Sequence, residues 1–333
     1  MMNKSNFYSE MRNLALVAGV PVLLLSLLAP TAQAAEKPPL PETANAVLHF
    51  DLDRLRGSDL YSEVEGTIGM FARSDEQLQM FLEATGLADA AATMQGFTIY
   101  SFSDAQHPQD FAGVLTSDFG AETRARLEQA YAPVARSVDG RIIMPVIQTP
   151  EVEIVMSFLG PGRLTFGTAR AVEMVVQENS DGEAMMAAYQ RTATRRPVWG
   201  IINAGDVIDS LMADLGGGAT AGDNPLAMLE GNEAVQSLTA IGFSLELGKD
   251  VFFELRAFTD SPEQARLLTD ALKGAVALGT MGANQTDDAD VVEFFRGVVT
   301  ESERDSVYVS FSVTEEQVKR LREGEAFLQD LIP

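Results

Sequence analysis

The 333 residues include no cysteine. This excludes disulfides, thiol nucleophiles, redox pairs and thiolate metal sites. It also excludes a lipid-modified N-terminus, which needs a cysteine at the cleavage point. Histidine is nearly as scarce, with only His49 and His107, and Trp199 is the single tryptophan. Two isolated histidines make a poor zinc centre, and no H-E-x-x-H pattern occurs. Lysine appears at positions 4, 37, 249, 273 and 319 only. None has Ser or Thr three residues before it, so the S-x-x-K nucleophile is excluded. No G-x-S-x-G elbow exists; the nearest approach, around Ser244, has Glu246 in place of the second Gly. Beyond Ala29 no apolar run is long enough to span a bilayer, Gly274 to Ala283 being brief and glycine-rich.

Positive charge is also in deficit. Lys and Arg total 24 against 48 Asp and Glu, a formal net charge of −24. A surface this acidic repels nucleic acid and anionic lipid, so no nucleic-acid partner is expected.

What is present begins with an address. Lys4 and Arg12 precede the uncharged run Leu14 to Ala29, and Ala32-Gln33-Ala34 then offers small residues at the two positions a signal peptidase reads. Residues 1–34 are expected to be a signal peptide cleaved before Ala35. The rival reading is a retained anchor. Sixteen residues at 1.5 Å rise span about 24 Å, short of a roughly 30 Å hydrocarbon core, and Pro21 interrupts them. The expected compartment is the periplasm, with secretion or anchoring by an uncleaved N-terminal helix as alternatives. No stable membrane insertion is expected after cleavage. The Pro-rich residues 35–45 read as a linker.

The remainder reads as α+β: two related units of mainly antiparallel sheet with helices packed on one face, arising by internal duplication. Unit one is residues 46–180, a linker occupies 181–196, and unit two is residues 197–333. In the first unit, strands are expected at Ala46–Phe50, Phe97–Ser103, Phe111–Ser117, Arg141–Ile147, Val152–Leu159 and Arg163–Gly167. Helices are expected at 58–71, 74–85, Ala121–Tyr131 and Ala169–Gln177. Turn chemistry falls at Asp104–Pro108 and at Gly160-Pro161-Gly162. In the second unit the strand Pro197–Asn203 enters Asn203–Val207 as Ala46–Phe50 enters Asp51–Leu55. Gly242-Phe243 matches Gly96-Phe97, Ala265-Arg266-Leu267 matches Ala125-Arg126-Leu127, and Val307–Val313 followed by Thr314 matches Leu164–Gly167 followed by Thr168. Their common order argues for duplication.

The stretch Leu40 to Tyr61 (LPETANAVLHFDLDRLRGSDLY) combines a Pro-rich start, a strand entering a D-x-D turn and an S-x-L-Y helix. In this it resembles uncharacterised exported bacterial proteins of two-repeat α+β type. The resemblance implies no activity.

Carboxylates are the one abundant reactive group. Asp51 and Asp53 would share a face if the strand continued through both, which suits cation binding or paired acid–base work. Against this, Arg54 and Arg56 follow at once, and a strand-to-helix junction uses Asp for capping. Asn203 and Gly205 at the matching places cannot replace a catalytic carboxylate. Asp287-Asp288-Ala289-Asp290 lacks EF-hand spacing and reads as a solvated loop. Gly216 to Gly222 follows a helix, fits neither phosphate-loop pattern, and reads as flexible. His49, alternating with Leu48 and Phe50 in a strand, reads as a structural or surface residue, and His107 as solvated. Arg195-Arg196 beside Trp199 is the one basic and aromatic cluster, most simply linker charge next to a core Trp.

No catalytic, cofactor-binding or metal-binding residue is therefore assigned, and no cofactor is expected. The chain reads as a non-enzymatic envelope protein that binds or scaffolds an unidentified envelope protein partner. The alternative is a carboxylate-dependent hydrolase acting on envelope glycan, which would need two inward carboxylates roughly 5–9 Å apart in a deep cleft.

Overall fold

The computed structural model describes residues 38–58, 94–102, 107, 110–149, 152–177, 183–204, 233–284, 289–317. The expected helices at 58–71 and 74–85, the 216–222 loop and most of the Asp104–Pro108 turn lie outside them. The chain separates into two compact units, dividing between Ala187 and Ala188 apart from Ser58, which groups with the second.

The first unit runs β1 (Ala46–Asp51), α1 (Leu52–Arg56), β2 (Met94–Ser101), β3 (Phe111–Ser117), α2 (Ala121–Tyr131), β4 (Arg136–Val138), β5 (Arg141–Gln148), β6 (Glu153–Gly160), β7 (Arg163–Thr168) and α3 (Ala169–Gln177). Its strands are ordered β1-β2-β3-β7-β6-β5-β4, and every described pairing is antiparallel. Two-residue turns join β4 to β5 and β6 to β7. Asp139-Gly140 carries φ of 47° and 75°, and Gly162 carries 71°, the positive values that tight hairpins require. The Pro-rich stretch expected as a linker is packed against the unit. Leu40 and Ala44 are buried, and the Asn45 amide donates to the Ser101 carbonyl at 2.8 Å. The segment turns at Pro41, whose carbonyl accepts from the Ala44 amide at 3.1 Å, and the apolar Leu40 and Ala44 enter the core.

Alternation along the strands sorts the core of this unit into two faces. On one, the rings of Phe50, Phe97 and Phe166 stack at centroid separations of 6.4 and 6.2 Å. Phe166 faces Gly113 across the β3–β7 pair. A Cβ on Gly113 would meet its ring at 2.7 Å, so the glycine makes room for the ring. The opposite face carries a buried polar row, with His49 across from Thr98 and Ser157 across from Thr165.

The helices of this unit meet both faces, where one face was expected. Arg124 of α2 lies over the Phe158 ring at 5.4 Å. Glu173 of α3 accepts from the Arg136 guanidinium at 2.9 Å, and Arg136 also bonds Glu153 at 2.9 Å. Glu153 and Phe158 are five residues apart on β6 and so point to opposite faces.

The hydroxyls of Ser157 and Thr165 are fully buried and have no hydrogen-bond partner among the described residues. An unpaired buried hydroxyl costs roughly 1–3 kcal/mol. Thr165→Val keeps the β-branched shape and removes the unpaired group, so it should raise stability by about 1 kcal/mol. Urea denaturation checks this, and a loss of stability would show that the hydroxyl is satisfied.

The second unit begins within α4 (Glu183–Arg191) and continues through β8 (Val198–Asn203), α5 (Glu233–Gln236), β9 (Leu238–Leu247), β10 (Val251–Thr259), α6 (Pro262–Ala283), α7 (Ala289–Gly297), β11 (Val299–Glu303) and β12 (Ser306–Val313). Its antiparallel strands are ordered β8-β9-β10-β12-β11. Helix α4 occupies residues expected as a linker. On one face Phe253 stacks on Phe311 at 4.9 Å, and Phe294 of α7 meets Phe311 edge-on at 5.0 Å. Ala257 and Val307 of that face pack with Ala265 and Leu268 of α6. Ser261 caps α6 by accepting from the Gln264 amide at 3.3 Å, and Pro262 at its first position has no amide to satisfy.

The other face of this unit is built from arginines laid over rings. Arg191 stands 4.8 Å from the Phe258 centroid, Arg196 stands 4.5 Å from Phe252, and Arg256 stands 5.6 Å from Tyr308. Each also holds a carboxylate at 2.7–2.8 Å: Asp305, Glu254 and Glu303 respectively. Guanidinium planes suit this double role in a way that lysine does not. Thr192 closes the face over Gly242, where an added Cβ would fall 2.0 Å from the Thr192 hydroxyl oxygen.

Candidate functional site

The charged groups weighed from sequence meet first at the β1–α1 junction. The strand ends at Asp51 and the helix begins at Leu52. Asp51 and Asp53 therefore do not share a strand face, because Asp53 already lies in the helix. The Asp51 backbone is extended, and its carboxylate accepts from the Arg54 amide at 3.0 Å, which is N-capping. Its second oxygen meets Arg54 Nε at 3.1 Å. Asp53 pairs with Arg56 at 2.7 Å, and Arg56 also donates to the Met94 carbonyl of β2, tying the short helix to the sheet.

Asp53 Oδ2 is buried without a hydrogen-bond partner among the described residues. Burial raises the Asp53 pKa, and Arg56 opposes that rise. His49, two residues before Asp51, bonds Thr98 Oγ1 through Nδ1 at 2.9 Å and is 7% exposed. Its pKa falls to about 4, through burial first and the Arg54 charge second. A neutral, buried imidazole bonded to threonine holds β1 to β2.

The capping role gives a test. Asp51→Ala should cost about 1 kcal/mol, within the usual 0.5–2 kcal/mol range for lost caps, and Asp51→Asn should be nearly neutral. Thermal melts of both variants decide this. Equal destabilisation by Asn and Ala would mean that the negative charge matters more than the cap.

The second cluster is Arg196 with Trp199. Arg196 is fully employed inside its own unit, donating to Ser244 Oγ at 2.9 Å while pairing with Glu254 at 2.8 Å. Ser244 and Glu254 are directly opposed across β9 and β10, and both are buried. Trp199 is buried and meets Tyr189 of α4 edge-on at 5.2 Å. The cluster offers no exposed aromatic platform. Ser244 is bonded to a guanidinium, which donates and cannot accept its proton, so it is not an activated nucleophile. His107 is exposed. Asp287 and Asp288 lie outside the described residues, as does the side chain of Asp290.

Sequence reasoning overlooked Glu254, Arg191 and Arg256. For Glu254 and Arg256 the signal lies in β10, where they alternate with Phe253, Leu255 and Ala257; Arg191 lies in α4. The alternation in β10 places both charges on one face of the strand, and their partners, Arg196 and Glu303, are distant in sequence. Among the described residues, no group of three or more His, Asp or Glu could hold a metal ion. No described helix is long and apolar enough to cross a membrane. Compared with known proteins, the chain matches no family model, no curated protein and no solved structure.

Proposed function

We propose that this is an exported, non-enzymatic envelope protein, built from two duplicated α+β units, that binds or scaffolds a protein partner. The observation that carries the reading is the internal engagement of the groups best suited to chemistry. His49 is bonded to Thr98, Asp51 to the Arg54 amide, Asp53 to Arg56 and Glu254 to Arg196. The one base beside a hydroxyl among these, His49 against Thr98, is buried and joins β1 to β2. Export rests on the N-terminal run and the Ala32-Gln33-Ala34 site that follows it.

Strand order supports the duplication. β1-β2-β3-β7-β6 in one unit and β8-β9-β10-β12-β11 in the other are the same path, with β4 and β5 added in the first. Both opening strands pass directly into a buried helical residue, Leu52 and Ala204. Pairing refines the correspondence. Asp51 faces Gly96, and Asn203 faces Ala240. If the junctions correspond, Gly96 answers to Ala240 and not Gly242, a two-residue shift that preserves the face. Likewise Leu127 is buried while Leu267 is 43% exposed, so Leu268, at 8%, is its better counterpart.

Cell fractionation tests the reading. The protein should leave the cytoplasm and its intact mass should begin at Ala35, and in envelope extract it should retain a protein partner reproducibly. A species keeping residues 1–34 would overturn the cleavage. Hydrolysis of envelope glycan by the pure protein would overturn the non-enzymatic role.

A further inference from the structure

We draw no further inference here: the strongest candidate, the exposed apolar stripe of Leu267, Ala271, Gly274, Leu278 and Met281 along helix α6, carries nothing because nothing in the structure shows what covers it.

Discussion

Gly167→Ala is expected to destabilise the protein by at least about 4 kcal/mol, the exceptional end of single substitutions. Gly167 sits in β7 opposite Ala112 of β3, with φ of 150°. An added Cβ would fall 2.1 Å from the Phe111 carbonyl oxygen and 2.8 Å from the Ala112 Cα. Both are backbone atoms of the paired strand, so no rotamer change relieves the contact, and the positive φ adds its own strain. At roughly 2–4 °C per kcal/mol, the melting temperature should fall by roughly 8–16 °C. Two further variants calibrate the result. Gly113→Ala meets the ring of Phe166, a side chain that can shift, and should cost about 1–3 kcal/mol. Gly160→Ala has open space around the new methyl and should be within about 0.5 kcal/mol of the parent. If Gly167→Ala melted with Gly160→Ala, the close approach of β3 and β7 would be wrong, and with it the strand order of the first unit.

That close approach is invisible in the sequence, where Gly167 is one glycine at the end of a strand. What could be read were elements with a strong local signal. The segments Phe111–Ser117, Ala121–Tyr131 and Ala169–Gln177 have the bounds expected of them. Turn residues or abrupt changes of hydropathy enclose each one. β4 is three residues long, too short for a period of two to register, and the Asp139-Gly140 turn creates it. β10 carries Glu254 and Arg256 among its apolar residues. Those charges look solvated until Arg196 and Glu303, distant in sequence, are brought to them. Helix α4 hides in a polar tract because its described burial rests on Met185 and Ala188, and Tyr189 finds Trp199 only after folding. At the junction, the capping role of Asp51 was legible because it is local, spanning three residues. The burial of His49 was less so, since Thr98 is 49 positions away.

That burial leads to a pH dependence with a defined window. An unfolded histidine titrates near 6.5, while His49 in the fold is held neutral down to about 4. Above pH 6.5 the imidazole is neutral in both states and contributes nothing to the slope. Between 6.5 and 4 the unfolded chain binds a proton that the folded chain refuses, so stability falls as pH falls. Below 4 both states are protonated and the slope from this group ends. The shift corresponds to about 3 kcal/mol lost across the window, approaching about 1.4 kcal/mol per pH unit near its middle. Other groups act mainly at its lower end. Glu153 and Glu303 have lowered pKa values through their arginines and lose stability only on further acidification. Asp53, with its raised pKa, takes up a proton in the fold first and works in the opposite direction. His49→Gln keeps a hydrogen-bonding side chain beside Thr98 and cannot titrate. Urea denaturation at pH 7.5, 6.5, 5.5 and 4.5 should therefore show a steep decline for the parent and a shallow one for the variant. The comparison is of slopes, so a uniform loss of stability in His49→Gln does not affect it. Parallel slopes would mean that His49 meets water in the folded protein, and that the pairing of β1 with β2 does not bury it.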